Sequence, residues 1–275
     1  VILFVQNTFF HQLQGQFGNF AFEGLVGKQI VPNPGGTQRI FDKQMRGDDE
    51  FSHDFILSLT PPPIGYNWGM KKNMPEEIRL LIENIVDDFN QLFNIKTISP
   101  SVHIVSSRME MDEIKKHQTE PWLVGTVKDE VIYILDRDKF ESDSDHPKSD
   151  FDKVLKHEIA HLYVTAIAGT NKPFWLNEGI ACYLAGQVKS SPSPENIIRL
   201  EDYYNKFDTS IYQIGYFWIS YLVGKFGMAK IIELLREWEK VKQNPKEFSI
   251  LFEKKFGFNL EKDQLINQIK KTGTC

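Results

Sequence analysis

Residues 151–168 read FDKVLKHEIAHLYVTAIA. Phe151, Val154, Leu155, Ile159, Leu162 and Val164 recur at helical spacing, the mark of an amphipathic helix. Ser149, followed three residues later by Asp152, resembles a cap at its start, with Asp where Glu or Gln is usual. Within the helix His157 and His161 stand four positions apart on one face, where both imidazoles can reach a single metal ion. Glu158 directly follows the first histidine, so its carboxylate can approach a water on the metal and act as general base. Zinc acidifies such a water, and the carboxylate takes its proton as it attacks a carbonyl. With 7 histidines in 275 residues, the HExxH pattern arises by accident on the order of once in a hundred such chains. The helical surroundings therefore carry as much weight as the motif.

Two histidines leave a catalytic zinc one protein ligand short. Residues 175–181, WLNEGIA, supply Glu178, which falls 17 positions after His161 and leaves 168–173 as a turn between two antiparallel helices. Gly179 and Ala181 are small and would let the glutamate helix approach the histidine helix closely. The alternative for Glu178 is a solvated helix carboxylate. Cys182, one turn further on, would close the site as a fourth ligand; the alternative is a small buried cysteine. His11, His53, His103, His117 and His146 have no partner at metal-ligand spacing and read as surface or loop residues.

Upstream of this pair of helices, Pro75 and the acidic Glu76 and Glu77 open a helical stretch reaching about residue 94, with Ile78, Leu81, Ile82, Ile85, Val86 and Phe89 at helical spacing. Short β-like runs follow at 102–105, 122–127 and 131–135, separated by a polar helix-like stretch at 109–117, and Lys128-Asp129-Glu130 reads as a hairpin turn. Downstream, helical segments are expected at 174–187, 194–206, 211–226, 228–242, 245–256 and 260–271, with breaks at Gly227 and Gly257. A small sheet ahead of a mostly helical half is an α+β arrangement. Residues 1–70 are rich in Phe, Gly, Gln and Pro and read as an irregular N-terminal region ending near Pro61-Pro62-Pro63, with residues 71–275 as the main domain. The aromatics at 9, 10, 17, 20 and 22 argue against simple disorder.

Composition excludes several classes. The 32 basic and 37 acidic residues give a net charge of −5, with no basic stripe to grip a nucleic-acid backbone. Apolar runs such as 1–5 and 219–223 fall far short of the roughly 20 residues that span a bilayer. The first residues lack a basic leading segment and a cleavage site. A start at Val nevertheless fits a trimmed product and leaves export open. Two cysteines, Cys182 and Cys275, make no disulfide framework and mildly favour a reducing, cytoplasmic compartment.

His157-Glu158-xx-His161 completed by Glu178 in WLNEGIA resembles the gluzincin metallopeptidases of the peptidase MA-like family. WLNEGIA is similar to the glutamate-helix motif of their leukotriene-hydrolase and aminopeptidase branch, where the interval is two residues longer. The shorter interval and residues 215–227, GYFWISYLVGKFG, are more similar to compact peptidase-MA-like bacterial proteins. The resemblance covers about 75–271 and is strongest over 151–227. It implies a zincin-like fold, with a small mixed sheet packed on the active-site helix, and one Zn2+ per chain held by His157, His161 and Glu178. It further implies a strand edge at 122–127, with Gly125 and Thr126 binding an extended peptide through backbone hydrogen bonds; the alternative is an ordinary core strand. A downstream tyrosine is expected to donate to the oxyanion: Tyr216, with Tyr212 as rival and a buried structural tyrosine as the alternative. An Asp that in some relatives supports a zinc-binding histidine is replaced here by Cys182.

The function implied is zinc-dependent hydrolysis of peptide bonds in a peptide or protein. The Gly-x-Met-Glu-Asn segment that holds a free amine in the aminopeptidases is missing, which favours an endopeptidase. Two rivals stand beside this: a catalytically silent zinc domain with a structural or interaction role, and a latent peptidase whose first 70 residues occupy the cleft.

Overall fold

The computed structural model describes residues 74–95 and 98–271. The expectations for residues 1–70, including the boundary near Pro61 to Pro63, lie outside this range. Helix α1 (Glu76–Phe93) follows Pro75, carries Glu76 and Glu77 in its first turn, and buries Ile78, Ile82, Ile85, Val86, Phe89 and Phe93. Acidic side chains there meet the positive end of the helix dipole.

Strand β1 (Ser101–Val105), helix α2 (Arg108–Lys115), strand β2 (Gly125–Lys128) and strand β3 (Val131–Leu135) follow in order. The sheet runs β1-β3-β2, with β1 parallel and β2 antiparallel to β3. Asp129 and Glu130 form the β2–β3 turn with φ of 50° and 62°, the left-handed pair that matches the twist of a two-residue hairpin. Strand β2 starts three residues later than the sequence suggests. Leu123 N–H turns back to Glu120 O at 3.0 Å, and Arg108 pins this loop through Thr119 Oγ1 at 3.1 Å, Pro121 O at 3.1 Å and Leu123 O at 2.5 Å.

Helix α3 (Phe151–Ala168) is central rather than amphipathic, with buried residues around most of its circumference. The sheet covers one side through β2 and β3, and α1, α4 (Phe174–Leu184) and a later helix, Met228–Trp238, cover others. Against α1, the Tyr163 ring stacks on Phe93 at 5.4 Å, and its hydroxyl donates to Asn90 Oδ1 at 2.8 Å and Val86 O at 3.1 Å. The expected Ser149/Asp152 cap does not form. A 3-10 turn, Lys148–Asp150, leads into the helix, Asp150 caps without a side-chain bond, and Asp152 pairs with Arg137 at 2.6 Å. Gly169, at φ 66°, ends α3 in the left-handed conformation that glycine adopts freely.

Beyond α4 come α5 (Ser210–Phe226), α6 (Met228–Trp238), α7 (Pro245–Phe256) and α8 (Lys262–Lys271). The single helix expected over 194–206 is instead one turn, Pro194–Ile197, and a 3-10 segment, Leu200–Tyr204. The Ile197 carbonyl accepts from Trp218 Nε1 at 2.8 Å, a tertiary bond in place of a helical one. Trp175, Trp238, Phe248 and Phe252 form the aromatic core of this half. The architecture is thus α+β, a three-stranded mixed sheet followed by helices. No helix among the described residues is long and apolar enough to cross a membrane.

Candidate metal centre

Helices α3 and α4 bring His157, His161 and Glu178 together, their ligand atoms all within 4.8 Å of one another. The Nε2 atoms of His157 and His161 lie 3.0 Å apart, and Glu178 Oε2 lies 3.3 Å from the first and 3.6 Å from the second. Tetrahedral zinc with bonds near 2.0–2.1 Å sets neighbouring ligand atoms about 3.3 Å apart. The three observed edges bracket that value.

The hydrogen-bond pattern points the same way. Asn177 Oδ1 can only accept, so His161 Nδ1, at 3.0 Å, donates to it and leaves the lone pair on Nε2. Glu178 Oε2 is buried beside both imidazoles yet accepts no hydrogen bond, and His157 Nδ1 is likewise unpartnered among the described residues. A buried acceptor without a partner costs about 1–3 kcal/mol. A cation among the three ligand atoms would satisfy the carboxylate oxygen and both Nε2 lone pairs together, so the donor set fits a metal and suits zinc.

Burial separates the two carboxylates electrostatically. Desolvation pushes the Glu158 carboxyl above its ordinary value, more strongly than the neighbouring imidazoles pull it down. Burial also opposes the charge on Glu178, but His161 and His157 outweigh it and hold that carboxyl below its ordinary value. His161, despite its own burial, is raised by the charges of Glu178 and Glu158 and by its bond to Asn177.

Gly125 forms the wall beside Glu158. A β-carbon at Gly125 would stand 2.8 Å from Glu158 Oε1 and 2.9 Å from Val154 Cγ1. Strand β2 is at the end of the sheet, with no further strand beyond it among the described residues. Leu135 N–H bonds Val124 O at 2.8 Å, which with the pairing of Gly125 to Ile134 and Thr126 to Tyr133 fixes the alternation. Thr126 directs its peptide groups at β3, while Gly125 and Val127 direct theirs to the open edge. Of the two edge residues expected, Gly125 is placed to pair with an added strand; Val127 is the other.

Helix α5 reaches the site beside His157. The Tyr212 ring lies 6.3 Å from that of His157 and 6.4 Å from that of Trp122. Burial, with the charges of Glu178 and Glu158, raises the Tyr212 hydroxyl far above its ordinary value, so it stays a donor. Tyr216, one turn along, is half-buried in the surroundings of Ser220, Tyr183 and Cys182. The structure therefore sets the ring of Tyr212, rather than that of Tyr216, against His157.

Gly179 faces α5, not the histidine helix. A β-carbon on Gly215 would meet Trp175 O at 2.5 Å and Gly179 N at 2.8 Å, so α4 and α5 touch backbone to backbone. Gly179 is one position on from Glu178, about 100° round the helix, and so points away from the face that carries the candidate ligand. Cys182 contacts Gln187 at 3.7 Å and is outside the ligand group; burial pushes its thiol up to about 12. Among the remaining histidines, His103 pairs with Glu110 at 2.8 Å, His146 bonds Trp122 O at 3.1 Å and His117 bonds Gln118 O at 2.9 Å. His11 and His53 lie outside the described residues. A cavity of about 370 Å³ between Trp175, Tyr204 and Phe248 contains none of the candidate ligand side chains.

Asn177 escaped the sequence reading. Its signal was present, a lone amide in the otherwise apolar start of FWLNEGIACYL, immediately before the candidate ligand. Compared with protein-family models, with curated proteins and with solved structures, the chain matches none.

Proposed function

We infer that the chain is a zinc-dependent peptidase of the gluzincin type with a zincin-like domain, acting on internal peptide bonds. The observation that carries this reading is the buried triangle of His157 Nε2, His161 Nε2 and Glu178 Oε2, with edges of 3.0, 3.3 and 3.6 Å, beside a general-base candidate at Glu158. When bound, zinc supplies Lewis acidity, polarising a carbonyl and lowering the pKa of a water.

The side chains divide the remaining work. An extended peptide pairs with the peptide groups of Gly125 and Val127 on the β2 edge, which sets its backbone beside Glu158 without demanding particular side chains. Glu158 accepts the proton of the attacking water and delivers it to the leaving amine. Tyr212 donates to the oxygen on which charge develops. Asn177 holds His161 in the tautomer that frees Nε2.

A second reading, a closed zinc site with a structural role, is favoured by burial: His157, Glu158 and Glu178 are only 6%, 7% and 9% exposed. One experiment separates the two. Metal content is measured by elemental analysis while a mixed peptide library is incubated with the full chain and with Glu158→Gln. One zinc per chain in both, with cleavage lost only in the variant, supports the peptidase. Zinc in both without cleavage supports the closed site, and no metal in either sinks both readings.

A further inference from the structure

The chain carries a net negative charge, yet among the described residues a lysine near the candidate site, close enough for its charge to act on Glu178, is in no ion pair. Lys189, beyond the C-terminal end of α4, places Nζ 5.5 Å from the centroid of the Tyr212 ring. That ring is the one 6.3 Å from His157. No described carboxylate forms an ion pair with Lys189, whereas other lysines near acidic side chains, such as Lys206 with Asp208 at 2.7 Å and Lys255 with Glu237 at 2.5 Å, are paired.

The surroundings favour a strong contact with an anion. Tyr212 is flanked by Trp122 at 6.4 Å and by Phe207 at 5.9 Å, the latter 49% exposed. The ammonium thus lies over an aromatic surface that displaces water, and a charge-assisted hydrogen bond there is worth more than one in open solvent. Lys115, at the end of α2, is likewise close enough to Glu158 for their charges to interact.

We propose that Lys189, seated on the Tyr212 ring, forms a subsite that binds a carboxylate of the peptide substrate. This rests on the peptidase reading of the same site. The two ring distances put the ammonium no more than about 12 Å from the His157 ring, and an extended peptide advances about 3.3 Å per residue. The carboxylate therefore belongs to an Asp or Glu one to three residues from the scissile bond, or to a free C-terminus at that distance.

The test uses the full chain loaded with zinc and heptapeptides of Ala, Leu and Phe, blocked at the N-terminus. Glu, Gln or Lys is placed at each position in turn, with either a free or an amidated C-terminus. A hydrogen bond to a charged group contributes about 1.5–3 kcal/mol, so kcat/KM for the best Glu peptide should exceed that of its Gln twin roughly ten- to a hundredfold. The ratio should fall to near one in Lys189→Met and favour Lys peptides in Lys189→Glu, with zinc content reporting on the fold of each variant. A preference for the free C-terminus over its amide, abolished by Lys189→Met, identifies the terminal carboxylate as the source. An unchanged ratio in Lys189→Met overturns the subsite while leaving the peptidase standing. Calorimetric binding of the same peptides to zinc-loaded Glu158→Gln gives an independent readout. Carboxylate-dependent binding that needs Lys189, without cleavage by the native chain, would uphold the subsite and sink the peptidase reading. Neither binding nor cleavage would end both.

Discussion

Gly125 and Glu158 touch across the interface between β2 and α3: a β-carbon on the glycine would stand 2.8 Å from the carboxylate oxygen. The strand edge and the Glu158 carboxylate are therefore held as one unit. In Gly125→Val the added methyls must push aside Glu158, Val154 or the strand, an overpacking that costs about 1–3 kcal/mol. The expected outcome is at least a tenfold loss of kcat/KM with one zinc still bound, because the ligands on α3 and α4 are untouched. Zinc content and peptide turnover measured side by side check this; full turnover in the variant would show that Glu158 does not need its place beside β2.

Asn177 and His161 make the second linkage, 3.0 Å from Oδ1 to Nδ1. Asn177→Leu keeps the volume, removes the acceptor and frees His161 to change tautomer. Loss of such an orienting partner typically lowers metal affinity ten- to a hundredfold. Competition with a zinc chelator measures the change directly, and an affinity equal to that of the native chain would show that packing alone holds the imidazole.

The grouping of His157, His161 and Glu178 was legible because it is local. Two histidines one helical turn apart and a glutamate on the next helix can be read by counting, and the α+β order follows from periodicities within single segments. What escaped depends on how segments cross. Tyr212 and Tyr216 are one turn apart on α5, and only the docking of that helix against α3 decides which reaches His157. Gly179 reads as a small residue, but its partner Gly215 lies on another helix. Helix α3 is apolar over a stripe in sequence and buried nearly all round in the fold, because neighbours cover its second face.

Glu110 offers a test of the scaffold that leads into β2. The Ser106 hydroxyl and amide, at 2.7 and 2.8 Å, followed by His103, hold its carboxyl down at about 2, from an ordinary 4.5, against the opposing effect of burial. A carboxyl whose folded pKa is depressed adds stability above its unfolded pKa and loses it as pH falls toward the folded one. The stability gap between the native chain and Glu110→Gln should therefore be full at pH 6 and shrink steadily from about pH 5 to about pH 2. Urea unfolding at pH 6, 4 and 3 measures it, and a gap that stays constant with pH would remove Glu110 as the source.

Tyr212 and Tyr216 give the sharpest discrimination at the site itself. Both are in α5, but only Tyr212 packs on the His157 ring and is raised by the charges of Glu178 and Glu158. Tyr212→Phe keeps the ring contacts and removes one hydrogen-bond donor. Removing a single donor of this kind costs roughly a hundred- to a thousandfold in kcat, with KM and zinc content little changed because the donor matters only as charge develops on the substrate oxygen. Tyr216→Phe should turn over at the native rate. A kcat loss in Tyr216→Phe alone would move the donor one turn along α5. Native kcat in both variants would mean that the developing charge is stabilised without a tyrosine hydroxyl.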